Sequence, residues 1–477
     1  MRFAAPIAIA LTLAASSCAC ADVIVLKNGN RIVGMDITTD GDHVTYQTSA
    51  GQLSIPKAIV ARIEHDDFSY SSGAAAAVAP PVSPPQIEPA HGYEEITQRT
   101  IHDGGVDYAY IAQLESNART GSPGAINKVA AAHYAAAQFF VAKGDSDSAI
   151  EQYRQGLAFA PDNFGLLMNL AVLYLRESQF TAALEPLQNA QEIDPASADV
   201  YKLAGWAYYG ANKTNQAIEE WKQAVKLRAD PDVVEALRKA ERDQALESNY
   251  REGETAHFEL KYYGGAAPEL ARGILSVLEN DYNDLQSQLD YTPPEPIGVI
   301  LYTRQAFADI TRAPSWVGAL NDGRIRIPVQ GLTSVTPELA SELKHELTHS
   351  FVGQKSHYRA PTWLQEGIAQ WMQGLRSGND AAFLVDAAQK GATPPLGSLE
   401  GSWIGFSGNS ASMAYAWSLA VVESIIDRGG VTDVSRLIGA FAGAPSAQEA
   451  VQQTFNSNYD ELQQQTVDYL KRAYLNN

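Results

Sequence analysis

The sequence predicts a multidomain chain of three architectures: a small all-β N-terminal domain, an α-solenoid middle and an α+β C-terminal domain. Three observations lead there. Short alternating apolar runs broken by turn residues fill residues 22–66, and a 34-residue period runs through residues 127–245. From residue 254 onward strand patterns alternate with longer helical ones, and one of these helices contains His345-Glu346-Leu347-Thr348-His349.

Composition narrows the class. The chain has 477 residues, 45% of them apolar, enough for real cores. A net charge of −20 and a pI near 4.9 disfavour nucleic acid and anionic membrane as partners, because the long-range field repels both. The N-terminus has a basic Arg2, an apolar run from Ala4 to Ala15 and a small-residue exit ending at Ala21. Residues 1–21 therefore read as a signal peptide cleaved after Ala21, and the expected destination is the periplasm or the exterior. No later stretch reaches membrane-spanning length. Both cysteines, Cys18 and Cys20, fall inside this leader, so the mature chain is expected to have no thiol. A metal site would then be built from His and carboxylate. Cleavage before Cys18 would instead leave a lipid-bearing cysteine, but Ala15 stands where such signals usually have Leu.

In residues 22–66, Asn28-Gly29 and Asp40-Gly41 offer left-handed backbone at low cost and read as hairpin turns of a four- or five-stranded barrel or curled sheet. The opening Val25-Leu26-Lys27-Asn28-Gly29-Asn30-Arg31 resembles the small SH3-like β-domain of some exported bacterial proteins, with Asn30 in place of that pattern's acid. The Pro/Ala-rich residues 67–95 read as a stiff linker, since proline supports neither a ladder nor a helix interior.

The middle segment repeats. Ala149, Ala183 and Ala217 stand 34 residues apart, as do Phe140, Tyr174 and Tyr208, then Tyr153, Leu187 and Trp221, and the small residues Ala137, Ala171 and Gly205. This pattern resembles the tetratricopeptide repeat, which implies antiparallel helix pairs stacked into a solenoid with a groove for a peptide or partner protein.

Beyond residue 254, residues 256–263 alternate as a strand, 268–289 have helical period, 297–302 form a buried strand and 304–311 return to helix. Residues 315–323 read as a loop. Residues 324–328 read as a strand ended by proline, which suits a sheet edge open to an extended peptide. Thr336-Pro337-Glu338 opens the helix that follows with a hydroxyl cap, proline in the first turn and an early acid. Leu339, Leu343, Leu347 and Phe351 make its buried stripe. His345 and His349 lie one turn apart off that stripe, free to face a cleft and grip one metal with Glu346 beside it.

A third ligand is needed. Six residues after His349 stands Lys355, which excludes a third histidine at that spacing, and His357 reads as a surface loop residue. Glu366, in Pro361-Thr-Trp-Leu-Gln-Glu-Gly-Ile-Ala369, is the better candidate, although by itself it also suits a solvated surface acid. Together the two motifs resemble the peptidase MA-like, or gluzincin, domains over residues 254–474. The resemblance implies that His345, His349 and Glu366 hold one zinc ion and that Glu346 is the general base. Tyr415 is the candidate donor to a developing oxyanion, with a packing role the alternative.

Later stretches read as closing helices: residues 413–427 stopping at Gly429-Gly430, and capped starts at Ser446 and Asn458. The resulting expectation is an exported zinc metallopeptidase acting on protein or peptide, with repeats that recruit substrate or a partner. The alternatives are a non-catalytic scaffold whose metal domain is structural, and hydrolysis of a non-peptide amide. An intact Glu346 favours an enzyme, because a structural site needs no base.

Overall fold

Alternation and turn chemistry account for the first unit. In the computed structural model the described residues are 21–27, 31–41, 43–48, 51–64, 93–120, 124–311, 319–329, 331–403, 406 and 408–475. The expected leader through Cys20, its cysteines included, and nearly all of the expected linker lie outside them. Strands β1 (Ala21–Leu26), β2 (Arg31–Asp40), β3 (His43–Thr48), β4 (Gly51–Pro56) and β5 (Val60–Glu64) form one antiparallel sheet in the order β4-β3-β2-β1-β5. These strands belong to one compact unit, and the repeats and the His-Glu-Leu-Thr-His region belong together to a second.

The second unit begins with α1 (Glu94–Thr100), the short hairpin β6 (Ile101–His102) and β7 (Gly105–Val106), and α2 (Tyr108–Arg119). The helix pairs follow: α3 (Ala125–Lys143) with α4 (Ser146–Phe159), α5 (Phe164–Arg176) with α6 (Phe180–Ile193), α7 (Ala198–Gly210) with α8 (Thr214–Leu227), and a closing α9 (Pro231–Glu247). The 34-residue period is a packing period. Ala149, Ala183 and Ala217 are each fully buried where two helices touch, and Tyr153, Leu187 and Trp221 fill the space beside them. At Gly205 a Cβ would lie 2.2 Å from the Trp221 ring nitrogen, so only glycine admits that indole. Asp145 and Asn163 cap α4 and α5 through their side-chain oxygens.

The remaining half is a sheet backed by helices. Strands β8 (Arg251–Glu254), β9 (Phe258–Tyr262), β10 (Ile297–Tyr302), β11 (Leu320–Asn321) and β12 (Ile325–Pro328) lie in the order β11-β12-β10-β9-β8, with β9, β10 and β12 parallel. All six residues of β10 are buried, as its unbroken apolar run requires. Helices α10 (Pro268–Leu289) and α11 (Arg304–Thr311) provide the crossovers. One expectation changes here. The strand before the metal helix is not the edge of the sheet, because β11 pairs antiparallel with it through Leu320↔Arg326 and Asn321↔Ile325. Leu320 and Asn321, expected in a loop, are buried and extended.

The helices that carry the site follow: α12 (Pro337–Lys355), α13 (Thr362–Met372), α14 (Ala381–Gln389), α15 (Gly408–Gly443), α16 (Ala447–Phe455) and α17 (Tyr459–Leu470). Thr336 Oγ1 accepts from Leu339 N at 3.2 Å, so the hydroxyl cap of α12 forms as expected. The expected stop at Gly429-Gly430 is a break within continuing helix: Gly430 has φ 73° and ψ −176°, and the helix resumes at once. Ser446 and Asn458 cap α16 and α17, the latter in a complete capping box with Glu461.

The repeats and the sheet meet through the turns between paired helices. Glu295 accepts from Thr181 N and Oγ1, and Arg324 donates to Tyr209 O and Thr214 Oγ1. Gly298 on β10 leaves room for Asn212, whose Oδ1 would lie 2.4 Å from an added Cβ. At the centre Arg326, fully buried, donates to both oxygens of Asp322, to Asp243 and to the Tyr302 and Tyr209 hydroxyls. Burial opposes charge on Asp322, yet Arg326 and Lys239 outweigh it and hold that carboxyl well below its usual range.

Candidate metal centre

Two helices form the site. On α12, Leu339, Leu343, Leu347 and Phe351 pack inward, and Phe351 meets Tyr282 of α10 edge-on at 5.1 Å. This fixes the helix rotation and turns His345 and His349 toward α13. They do not face an open cleft; both are buried, at 1% and 8% exposure. Glu366, near the middle of α13, is 2% exposed, which removes the reading of a solvated surface acid.

The reason α13 comes so close to its other neighbour is Gly367. A Cβ there would lie 2.4 Å from the Ser418 carbonyl oxygen, so the Glu-Gly pair lets α15 press on the helix that presents the acid. Gln370, one turn on, donates to the Glu366 and Tyr415 carbonyls and ties the two helices at this level.

One ligand-type atom from each of His345, His349 and Glu366 lies within 4.8 Å of the others. Among the described residues no other three His, Cys, Asp or Glu side chains are grouped in this way. His345 Nε2 is 3.4 Å from one Glu366 oxygen and His349 Nε2 is 3.5 Å from the other. The far nitrogen of His345 is held by a residue that sequence reasoning missed: Nδ1 lies 2.7 Å from Gln373 Oε1, while Gln373 Nε2 donates to Ser341 Oγ. With Nδ1 donating to that carbonyl, Nε2 is the nitrogen turned to the carboxylate. His345 Nε2 and Glu366 Oε2 are both buried without a hydrogen-bond partner. A cation between these two atoms, whether a proton on Nε2 or a metal ion, would answer both. Two imidazoles and a carboxylate are a donor set that zinc accepts.

The titrating groups show the same demand. Burial disfavours the imidazolium at His345, but Glu366, with Glu346 and Glu342, overrides it and raises the ring to about 9. At His349 burial dominates and lowers the ring to about 4. Glu346 is pushed up to about 8, first by burial and also by Glu342, Glu366 and Asp322, against the pull of His345. Glu342, a turn before Glu346 and unexpected from sequence, is raised too, chiefly by burial. Proton affinity is thus concentrated where the two motifs meet.

Asn321, buried in β11, was also missed. Its Nδ2 donates to the Glu346 carbonyl and to Ser350 Oγ, both at 2.7 Å, and its Oδ1 accepts from Gly323 N. The edge of the sheet is thereby fastened to α12 at the level of the acid. Its signal was the Asn-Asp-Gly turn text, which also suits a plain loop. Gln373 stands seven residues after Glu366, on the same helical face, and that spacing could have revealed it.

His357 lies at left-handed φ 50° just past α12, with Nε2 3.1 Å from Glu177 Oε2. It belongs to the seam with the repeats and not to the cluster. Tyr415 is buried, its ring edge-on to Trp403 at 4.9 Å.

Residues 284–472 match the model of the Peptidase MA superfamily, and residues 134–198 match that of the tetratricopeptide repeat. The BBSome complex member BBS4 of Bos taurus is 31% identical over 105 residues, 22% of this chain, and the chain spans about a fifth of that relative's length. Among solved structures, similarity extends to the first tetratricopeptide repeat domain of the human RPAP3 protein, at 23% identity and TM-score 0.24, covering 25% of this chain and 95% of that one. A second is "MamA MSR-1 C2", at 20% identity and TM-score 0.24, covering 28% and 82%. No described helix is long and apolar enough to cross a membrane. Two pieces of the chain are therefore placed by family: a tetratricopeptide repeat segment, and a Peptidase MA superfamily domain that contains the buried His345, His349 and Glu366.

Proposed function

We propose that the chain is an exported zinc metallopeptidase that hydrolyses peptide bonds and uses its repeats to recruit a protein substrate or partner. The observation that carries this reading is the buried His345-His349-Glu366 cluster with unpartnered ligand atoms, beside an acid of raised proton affinity. His345 and His349 through Nε2, and Glu366 through its carboxylate, would hold the ion. When bound, zinc supplies a Lewis acid that polarises the scissile carbonyl and makes water a nucleophile near neutral pH. Glu346 takes the proton of the attacking water and delivers it to the leaving amine. Gln373 keeps the proton of His345 on Nδ1 so that Nε2 stays available. Tyr415 would donate to the developing oxyanion. The leader at residues 1–21 supports export, which fractionation of cells expressing the full chain tests directly.

The deciding experiment is metal analysis together with cleavage of a mixed peptide library by the native chain and by Glu346→Gln. The expected outcome is about one zinc per chain in both, with turnover lowered by roughly 10²–10⁴-fold in the variant. Stoichiometric zinc with no cleavage by either would defeat the peptidase reading and favour a scaffold with a structural metal.

A further inference from the structure

The turn of α12 that carries Glu346 is held from outside, and the far end of that hold lies on the closing helix of the repeats. Three consecutive residues make the link: Asn321, Asp322 and Gly323. Strand β11 is only two residues long and pairs with β12 at two positions, so its ladder contributes little. Leu320 seats it among Ile300 and Tyr302, and the next two side chains bind different partners.

Asn321, 2% exposed, donates through Nδ2 to the Glu346 carbonyl and to Ser350 Oγ, which grips the turn bearing both Glu346 and His349. Inside an α-helix such a carbonyl already accepts from the amide four residues on. The second donor is therefore not needed to form the helix; it fixes where the helix lies. Gly323, at φ 98°, gives its N–H to Asn321 Oδ1, and this sets the carboxamide with Nδ2 toward α12.

Asp322 binds the repeat side. Its carboxylate pairs with Lys239 of α9 at 2.6 Å and with Arg326 at 2.9 Å, and Arg326 pairs in turn with Asp243 of α9 at 2.8 Å. One of its cations thus stands on α9 and the other is anchored to it. Two adjacent residues thereby join the last repeat helix to the backbone of the proposed base.

We propose that Asn321 is a positioning residue for Glu346 and His349, and that α9 holds it in place through Lys239 and Asp322. The repeats then complete the metal centre besides recruiting a partner. The inference rests on the zinc peptidase reading above and deepens it by naming what orients the metal helix.

The test is a double-mutant cycle in the full chain. Asn321→Leu removes the donor at similar volume, and Lys239→Met removes the cation at similar length. Glu295→Ala is the control, since it opens the seam at Thr181 without touching Asn321 or Asp322. Cobalt(II) affinity, measured against a chelator, and the visible d–d spectrum report ligand geometry without requiring hydrolysis. Asn321→Leu should weaken binding about 10-fold and shift the spectrum. Lys239→Met should give a smaller loss that Lys239→Arg recovers. The double variant should lose no more than Asn321→Leu alone, because both act along one path. Glu295→Ala should match the native chain. Amide hydrogen exchange over residues 343–351 in the metal-free chain should rank the variants in the same order. In peptide turnover kcat should fall while KM holds. Lys239 is 28% exposed, so its variants carry the test if Asn321→Leu does not fold.

Three outcomes overturn the proposal: native exchange and cobalt binding in Asn321→Leu, additive losses in the double variant, or a loss in Glu295→Ala equal to that in Lys239→Met. A native chain that hydrolyses nothing while the cycle behaves as expected defeats the peptidase reading and upholds this one. If the native chain takes no cobalt, the metal reading fails and the exchange ranking decides the role of Asn321.

Discussion

Two buried charged clusters lie within the same half of the molecule and are built on opposite principles. Around Arg326 every charge is answered: its guanidinium reaches Asp322, Asp243, Tyr302 and Tyr209, and Lys239 completes the pairing of Asp322. Around His345 the central atoms have no hydrogen bond outside the cluster: His345 Nε2 and Glu366 Oε2 face each other at 3.4 Å, and Glu342 Oε1 lacks a partner. A satisfied network orients elements and holds them, here the last repeat helix against β12. An unsatisfied one costs stability that a bound cation recovers. The difference separates a cluster whose charges are paired throughout from one whose donor atoms converge on a single point.

The largest test of that contrast is Glu366→Ala. It should abolish zinc binding, read by metal analysis, at a smaller cost to the stability of the metal-free chain than the loss of a fully paired buried ion, because the carboxylate it removes is answered there only by the proton on His345. Full zinc retention would mean that another residue is the third ligand. The opposite behaviour is expected of Arg326→Met, which strips Asp243 of its close cation and leaves Asp322 to Lys239 alone. It should cost roughly 3–5 kcal/mol, with the remaining folded chain still able to bind zinc. If instead Arg326→Met abolished zinc binding while stability held, the two clusters would not be separable.

Smaller effects sharpen the comparison. Gln373→Leu should weaken zinc binding about 10- to 100-fold by freeing the His345 tautomer, and Gln373→Glu, which keeps an acceptor, should recover most of it; competition with a chelator measures both. The smallest expected effect is a pH trend in the metal-free chain. Glu346 is raised from 4.5 to about 8 and His345 from 6.5 to about 9, so between about pH 6.5 and 8 the folded state binds more protons than the unfolded. Stability should fall as pH rises through that window. Below 6.5 the trend flattens, because His349, lowered to about 4, binds its proton in the unfolded state and opposes Glu346. Saturating zinc should remove the fall, since the ion replaces the retained proton.

Much of the α-helical and strand text could be read from the chain because periodic burial is local. Helix α10, strand β10 and helix α11 have the bounds that apolar spacing and flanking prolines predict, and the 34-residue interval reappears as Ala149, Ala183 and Ala217 at helix contacts. At the site, the two histidines one turn apart were readable from the helical repeat, and Glu366 from the resemblance that the second motif carries. Gln373 and Asn321 were not, since amide side chains announce no chemistry until something buried needs them. The status of the strand at 325–328 was likewise hidden. Two residues, Leu320 and Asn321, are too short a run to read as a strand, yet they suffice to cover its edge.

By itself the sequence determined which residues could act: two imidazoles on one helical face, one acid beside Gly367, and no thiol beyond residue 20 to compete with them. Only the tertiary structure decided that they meet. The meeting depends on a glycine that lets α15 press on α13, on the apolar stripe that rotates α12 toward Glu366, and on burial that turns His345 Nε2 and Glu366 Oε2 to each other. Local spacing sets which side chains share a face. Whether they can share one ligand is decided only when two faces close and bring their donor atoms together.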